Sequence, residues 1–192
     1  MHKKDIFSGI FVLIFACLIG CSPSKTTTEP ITPPVADGQI TLSFTPAGSP
    51  VSNSVYLEEI LINNDEITLA IKVKEGTDVY GAALWLTYDS SKINYVSASS
   101  TGSYLGNNLS FSAALKDVQE EGTLIIGNFK QGTIAGTSGD GLLLTVVLKA
   151  ISAQTNTAID FNATNSLLYN SQAEPNNKIS GTTWLGGSLS YN

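Results

Sequence analysis

The feature that most constrains this chain is an alternation of apolar and polar residues in short runs, from Gly38 to the C-terminus. For example, Ile67, Leu69 and Ile71 alternate with polar or small residues. Successive side chains of a β-strand point to opposite faces, so this period of two predicts strands with one buried face. The same reading assigns strands to residues 39–44, 55–62, 66–74, 79–89, 92–98, 122–130, 141–151, 158–162, 166–170 and 181–191.

Turn-forming residues separate these runs, as in Asn63-Asn64-Asp65 and Gln154-Thr155-Asn156. No segment has helical periodicity over three turns, and residues 111–119 predict a short turn at most. About nine strands at short, regular spacing predict one all-β domain over residues 38–192. The expected fold is an antiparallel β-sandwich with jelly-roll topology.

The N-terminal region has the composition of an export signal followed by a linker. Basic His2-Lys3-Lys4 precedes an apolar stretch that is shorter than the ~20 residues of a transmembrane helix. This pattern predicts a signal peptide over residues 1–20. Leu18-Ile19-Gly20-Cys21 resembles a bacterial lipobox, which implies that Cys21 is the lipid attachment site. Residues 21–37, rich in Pro and Thr, predict a disordered linker. We therefore expect an exported protein, lipid-anchored in the bacterial cell envelope at the outer membrane or the cell surface.

The residues that remain after removal of the signal peptide exclude most catalytic chemistry. They include no His, no Arg and only Cys21 among the cysteines. This excludes Ser-His-Asp and Cys-His nucleophiles, His- or Cys-ligated zinc and a disulfide within the fold. Adjacent carboxylates such as Glu58-Glu59 point to opposite faces of a strand, so they do not form an acid–base pair. We expect a protein that is not an enzyme.

Charge and loop composition limit the possible ligands. A net charge of −6 without Arg argues against nucleic acid, which needs clustered cations. Loop oxygens at Asn63-Asn64-Asp65-Glu66, 138–140 and Asn176-Asn177 leave a structural calcium ion open. No run has the spacing of a calcium loop, so these residues are read first as turn formers. We predict no cofactor and no metal site.

Two segments carry a family resemblance. Residues 79–93 contain Gly81, then an apolar strand, then Tyr88-Asp89. Residues 139–150 contain a Gly-rich turn and a long apolar strand that ends in Lys149-Ala150. In this order they resemble cohesin domains, over about residues 38–192, with cellulose-binding modules as relatives in the same superfamily. The resemblance implies a β-sandwich that is a non-catalytic module and binds a dockerin or similar extracellular protein.

The predicted partner-binding surface combines these two segments. Alternation places Ala82, Leu84 and Leu86 in the core and their neighbours outside. The resemblance implies that both segments share one sheet, whose outer face docks the partner. The predicted site is therefore an apolar patch with polar edges, made of Ala83, Trp85, Thr87, Leu143, Thr145, Val147 and Lys149.

Two other functions stay open at this stage. Exposed aromatic faces can stack on sugar rings, so Trp184 with Tyr104, Tyr169 and Tyr191 could bind a polysaccharide. Trp184 could instead close one end of the sandwich. The domain could also be a structural part of an envelope assembly with no discrete ligand.

Overall fold

A computed structural model describes residues 41–116 and 122–192, and these residues contain strands, turns and no helix. Residues 38–192 form one compact unit. No helix in the part of the chain that the structure describes is long and apolar enough to cross a membrane. The predicted signal peptide, Cys21 and the linker lie outside the described residues.

Twelve strands are present in the described ranges. They are β1 Leu42–Pro46, β2 Ser54–Asn63, β3 Glu66–Tyr88, β4 Ile93–Ser99, β5 Leu109–Leu115, β6 Thr123–Lys130, β7 Thr137–Ala150, β8 Gln154–Phe161, β9 Leu167–Asn170, β10 Lys178–Ile179, β11 Thr183–Leu185 and β12 Gly187–Tyr191. The prediction of an all-β sandwich is confirmed. The expected number of strands was too low, because β5 and the short strand β10 were not anticipated and the predicted strand 181–191 is divided into β11 and β12.

The long strand β3 belongs to both sheets of the sandwich. Its first part pairs with β2 on one side and β7 on the other, and β4 and β11 extend this sheet as β4-β7-β3-β2-β11. Its last part, residues 79–88, pairs with β6 on one side and with β9 and β8 on the other. This second sheet continues from β6 to β5, and from β8 to β12 and β1. Among the described strands, every pairing is antiparallel except that of β11 with β2.

The transition between the two sheets lies near Gly76, in the gap between the predicted strands 66–74 and 79–89. The structure shows a continuous strand instead, because Gly76 still pairs with Gly139 of β7. The register shifts on both sides of Gly76, and Glu75 and Asp78 have φ of 48° and 53°. A Cβ on Gly76 would lie 2.8 Å from a methyl of Val79. Glycine therefore permits the local irregularity while the ladder continues.

The core lies between the two sheets and contains the residues that alternation selected on β3. Ala82, Leu84 and Leu86 are fully buried, as predicted, and their cross-strand partners on β6 include buried Leu124 and Ile126. The first part of β3 contributes buried Ile67, Leu69, Ile71 and Val73 in the same way. The side of residues 81–88 opposite to the core is therefore the outer surface of the second sheet.

Truncation of Leu84 to Ala should lower the free energy of unfolding by ~2–5 kcal/mol, because it removes a packed side chain and leaves a cavity. Leu84 is 0% exposed, whereas Leu61 is 58% exposed, so Leu61→Ala is a chemically matched control. We expect the control to change stability by less than ~1 kcal/mol in urea denaturation. Equal losses in the two variants would contradict the assignment of the core.

Candidate binding site

The outer surface of the second sheet carries a row of apolar side chains. Trp85 lies opposite Ile125 of β6, which in turn lies opposite Ala114 of β5. Two residues before Trp85, Ala83 lies between Gly127 of β6 on one side and Leu167 of β9 on the other. Because buried residues alternate with these positions, their side chains share the outward face. We name this surface the Trp85 face. It consists of Ala83, Trp85, Thr87, Ile125, Gly127, Phe129, Leu167 and Tyr169.

Trp85 is held at a defined position in this row. The amine of Lys116 lies 4.9 Å from the centre of the indole ring, within cation–π range. The backbone N–H of Trp85 donates to the Ser166 hydroxyl at 3.0 Å, and its carbonyl accepts from the Asn162 N–H at 2.8 Å. These bonds lie where the turn from β8 to β9 passes beside β3. The backbone around a half-buried, outward tryptophan is thus fixed.

Phe129 and Tyr169 end the row on the side away from Trp85. Their ring centres are 5.4 Å apart with an angle of 58° between the planes, a tilted aromatic pair. Phe129 lies across Gly81, where a Cβ would clash with the ring. Gly81 is therefore required by the close approach of an aromatic ring. The Trp85 face has aromatic side chains at both ends and small residues, Ala83 and Gly127, between them.

A groove of about 850 Å³ adjoins the face at Phe129 and Tyr169. One wall is the loop 131–136, and the other is the loop that follows β9. We name this cavity the loop groove. Its lining comprises Tyr80, Phe129, Gly132, Thr133, Ile134, Ala135, Tyr169, Asn170, Ser171, Gln172, Ala173 and Asn177.

Asp78 connects the two walls of the loop groove. Its carboxylate accepts the N–H of Gly136 at 2.8 Å from one loop, and the hydroxyl of Ser171 at 2.8 Å from the other. The phenol of Tyr80 donates to the carbonyl of Gly132 at 2.7 Å, a second tie to the first loop. The Ser171 hydroxyl, with smaller contributions from backbone N–H groups, holds the pKa of Asp78 below its ordinary value of 3.8. Both walls are thereby attached to β3.

A family model described as "Cohesin domain" matches residues 63–187. The chain belongs to the cohesin family. Solved cohesins have the same fold at low identity. A type II cohesin from the cellulosome of Acetivibrio cellulolyticus is 17% identical, with a TM-score of 0.52, over 70% of this chain and 95% of that one. CaCohA2 from Clostridium acetobutylicum is 18% identical, with a TM-score of 0.54, over 71% and 90%. Among curated proteins, no match was found.

Membership of the cohesin family agrees with the predicted class of protein, since cohesins are non-catalytic binding modules. The expectation that residues 79–89 and 141–151 form one outer surface is nevertheless wrong for this chain. Trp85 lies beside β6, whereas Thr145 and Val147 pair with Ala70 and Thr68 in the first part of β3. The two groups lie in different sheets, because β3 leaves one sheet and enters the other between them.

The prediction that Leu143 belongs to the partner-binding surface is also wrong, since Leu143 is 0% exposed. The pairing moves from Ile71↔Leu144 directly to Lys72↔Leu142, so Leu143 is an extra residue in β7. Such a β-bulge shifts the alternation by one position and turns the additional side chain to the other face. Leu143 and Leu144 are consequently both buried, and Leu142 is partly exposed.

Thr145, Val147 and Lys149 are half-buried on the sheet that contains β7. Thr145 donates to the carbonyl of Ser99 at 3.4 Å, and the amine of Lys149 lies 3.1 Å from the Asp65 carboxylate. That hydrogen bond raises the pKa of Lys149. These residues take part in contacts within the sheet and share no surface with Trp85.

The structure does not bring together the aromatic residues proposed for a sugar platform. Trp184 packs on Phe161 with 5.6 Å between ring centres. Tyr104 lies in the segment that connects β4 to β5, and Tyr191 lies on β12. All three are partly buried against the core. Burial raises the pKa of Tyr104. The alternative in which Trp184 closes the sandwich describes its packing better. Tyr169 alone of the four lines the loop groove.

Ile125, Phe129 and Leu167 were not anticipated as surface residues, although the sequence contains the necessary signal. In residues 123–130, Leu124 and Ile126 point inward, so their neighbours point outward.

In the described residues, no group of three His, Cys, Asp or Glu side chains is placed to hold a metal ion. Asn64, in the turn offered as a calcium site, has a left-handed φ of 56°, as expected for a turn residue.

Replacement of Asp78 by Asn should destabilise the fold at neutral pH and have little effect in acid. A carboxyl with a lowered pKa stabilises the native state above its unfolded pKa, and this contribution is lost as the pH falls through the folded value. The difference in unfolding free energy between the two proteins should therefore be constant above about pH 5, and should shrink as the pH falls through the unfolded pKa of about 4 and then through the lower folded pKa. Urea denaturation measures it. Exposed Asp160→Asn is the control, and a difference independent of pH would contradict this role of Asp78.

Proposed function

We propose that this cohesin docks an extracellular partner through the Trp85 face, and that the partner is a dockerin-like module. The observation that carries the proposal is an outward, backbone-fixed Trp85 in an apolar row that small residues keep open. A flat apolar centre with hydroxyl groups at its edge has the composition of a protein interface. Tryptophan is among the residues that most often dominate the energy of such interfaces.

The comparisons support a protein partner. CaCohA2, which has the same fold, has been solved in complex with CaDoc0917, with a TM-score of 0.52 and 16% identity. The partner would cover the outer surfaces of β5, β6 and β3 and the adjoining end of β9. Because the chain belongs to a family of non-catalytic binding modules, we also infer that the protein itself catalyses no reaction.

Replacement of Trp85 by Asp should weaken binding to a dockerin by about 100-fold or more, because a charge would replace a buried anchor at the interface. The probe is a panel of recombinant dockerin modules that includes CaDoc0917, tested by calorimetry against the full chain. Ile125→Asp should act in the same direction, and circular dichroism should show both variants to be folded.

Val147→Asp provides the matched control, since Val147 is a half-buried residue that faces outward on the other sheet. Its affinity for the dockerin should equal that of the unmodified protein. Loss of binding in Val147→Asp together with retention in Trp85→Asp would place the interface on the sheet that contains β7 and would reject the proposal. A panel in which no dockerin binds would reject the partner class.

We further propose that the cohesin is exported and attached to the bacterial cell envelope through Cys21. The support is the sequence Leu18-Ile19-Gly20-Cys21 after an apolar segment, followed by a Pro-rich stretch that would separate the domain from the membrane. At ~3.1 Å per residue, such a linker would extend to roughly 50 Å at most. The docking surface would then be accessible to a large partner.

Cys21→Ser should abolish lipid attachment, because serine lacks the thiol that receives the lipid. Cells grown with labelled palmitate should label the unmodified chain and not the variant. The unmodified chain should also sediment with membranes. Cys17→Ser is the control and should keep the label. Labelling that persists in Cys21→Ser, or is lost in Cys17→Ser, would contradict Cys21 as the anchor.

A further inference from the structure

We propose that the loop groove, which adjoins the Trp85 face and shares Phe129 and Tyr169 with it, is a binding site for a neutral oligosaccharide. Its volume of about 850 Å³ falls within the ~300–1,000 Å³ that is typical of sites for small ligands. The groove is formed by β3, β6, β9 and two loops, and the docking proposal gives no role to the two loops. Three properties identify the chemistry of the ligand: the aromatic walls, the absence of charge and the fixed loops.

The aromatic walls offer apolar faces to a ligand. Tyr80, Phe129 and Tyr169 all line the groove and are only half-buried. An aromatic ring combines an apolar face with, in tyrosine, a polar edge. A sugar ring has the complementary character, since its C–H groups form apolar patches and its hydroxyl groups surround them. The tilted pair of Phe129 and Tyr169 would present two non-parallel surfaces to such rings.

The polar groups of the lining are uncharged. Among the described residues that line the groove there is no Asp, Glu, Lys or Arg. The side chains of Thr133 and Gln172 form no hydrogen bond to other residues that the structure describes, so their donors and acceptors are available. Hydroxyl and amide groups can each donate and accept, which suits the hydroxyl groups of a sugar. An anionic ligand would find no cation in this lining.

The groove is also preorganised. Asp78 holds Gly136 on one wall and Ser171 on the other, and Tyr80 holds Gly132. The side-chain amide of Asn170 donates to the carbonyl of Asn176 at 3.0 Å, which closes the second loop on itself. Walls that are already fixed reduce the entropy lost when a ligand binds. A shallow site of this kind can then retain a flexible glycan.

The proposal is tested with the full chain and neutral oligosaccharides as probes: cellohexaose, xylohexaose, mannohexaose and chitohexaose, measured by calorimetry. At least one should bind, and an oligogalacturonate, which is anionic, should not. Tyr169→Ala should weaken binding by about tenfold or more through the loss of an aromatic surface. Gln172→Ala, in an exposed loop, should also weaken it, without a change in folding.

Tyr56→Ala is the matched control, because Tyr56 is a half-buried tyrosine on β2 of the other sheet. It should bind the oligosaccharide unchanged, and so should Trp85→Asp. If none of the four probes binds, or if Tyr169→Ala and Gln172→Ala bind normally, the proposal is overturned. It is also overturned if Tyr169→Ala and Gln172→Ala no longer bind a dockerin and no sugar binds the unmodified chain. The groove would then belong to the docking surface.

Discussion

The architecture depends on one uninterrupted strand. β3 runs from Glu66 to Tyr88 and hydrogen-bonds successively to partners in both sheets. Because a strand is pleated throughout, the side chains of its two parts alternate between the same core and two different outer surfaces. The irregular segment around Gly76 allows this change of sheet. Each later feature, including the position of Trp85, follows from where β3 leaves β7 and joins β6.

The Trp85 face owes its character to small residues as much as to large ones. Gly81 leaves room for Phe129, and Ala83 and Gly127 keep the centre of the row low. Larger side chains at these positions would displace the ring of Phe129 or raise the centre above the aromatic ends. The adjacent loop groove uses the same phenylalanine as its boundary. Phe129 and Tyr169 therefore belong both to the surface proposed for a protein partner and to the one proposed for a glycan.

Local alternation predicted the core well where each residue of a strand faces one residue of its neighbour. Ala82, Leu84 and Leu86 on β3 are examples. It failed where the ladder contains an additional residue, as at Leu143, because a bulge changes the phase of every position on one side of it. β5 was missed for another reason. Leu109, Phe111 and Ala113 alternate with small or hydroxyl residues, but a strand paired on one edge only has a weak apolar signal.

The sequence by itself determined the all-β class, the inward set of side chains on β3 and the absence of His, Cys and Arg after residue 21. These are consequences of residue type and of a period of two, which are local properties. The tertiary structure decided which strands are neighbours, and therefore which outward residues share a surface. Hydrogen-bond pairing between distant segments sets that arrangement: it placed Trp85 beside Ile125 instead of Val147, and it brought Phe129 to Tyr169 across Gly81.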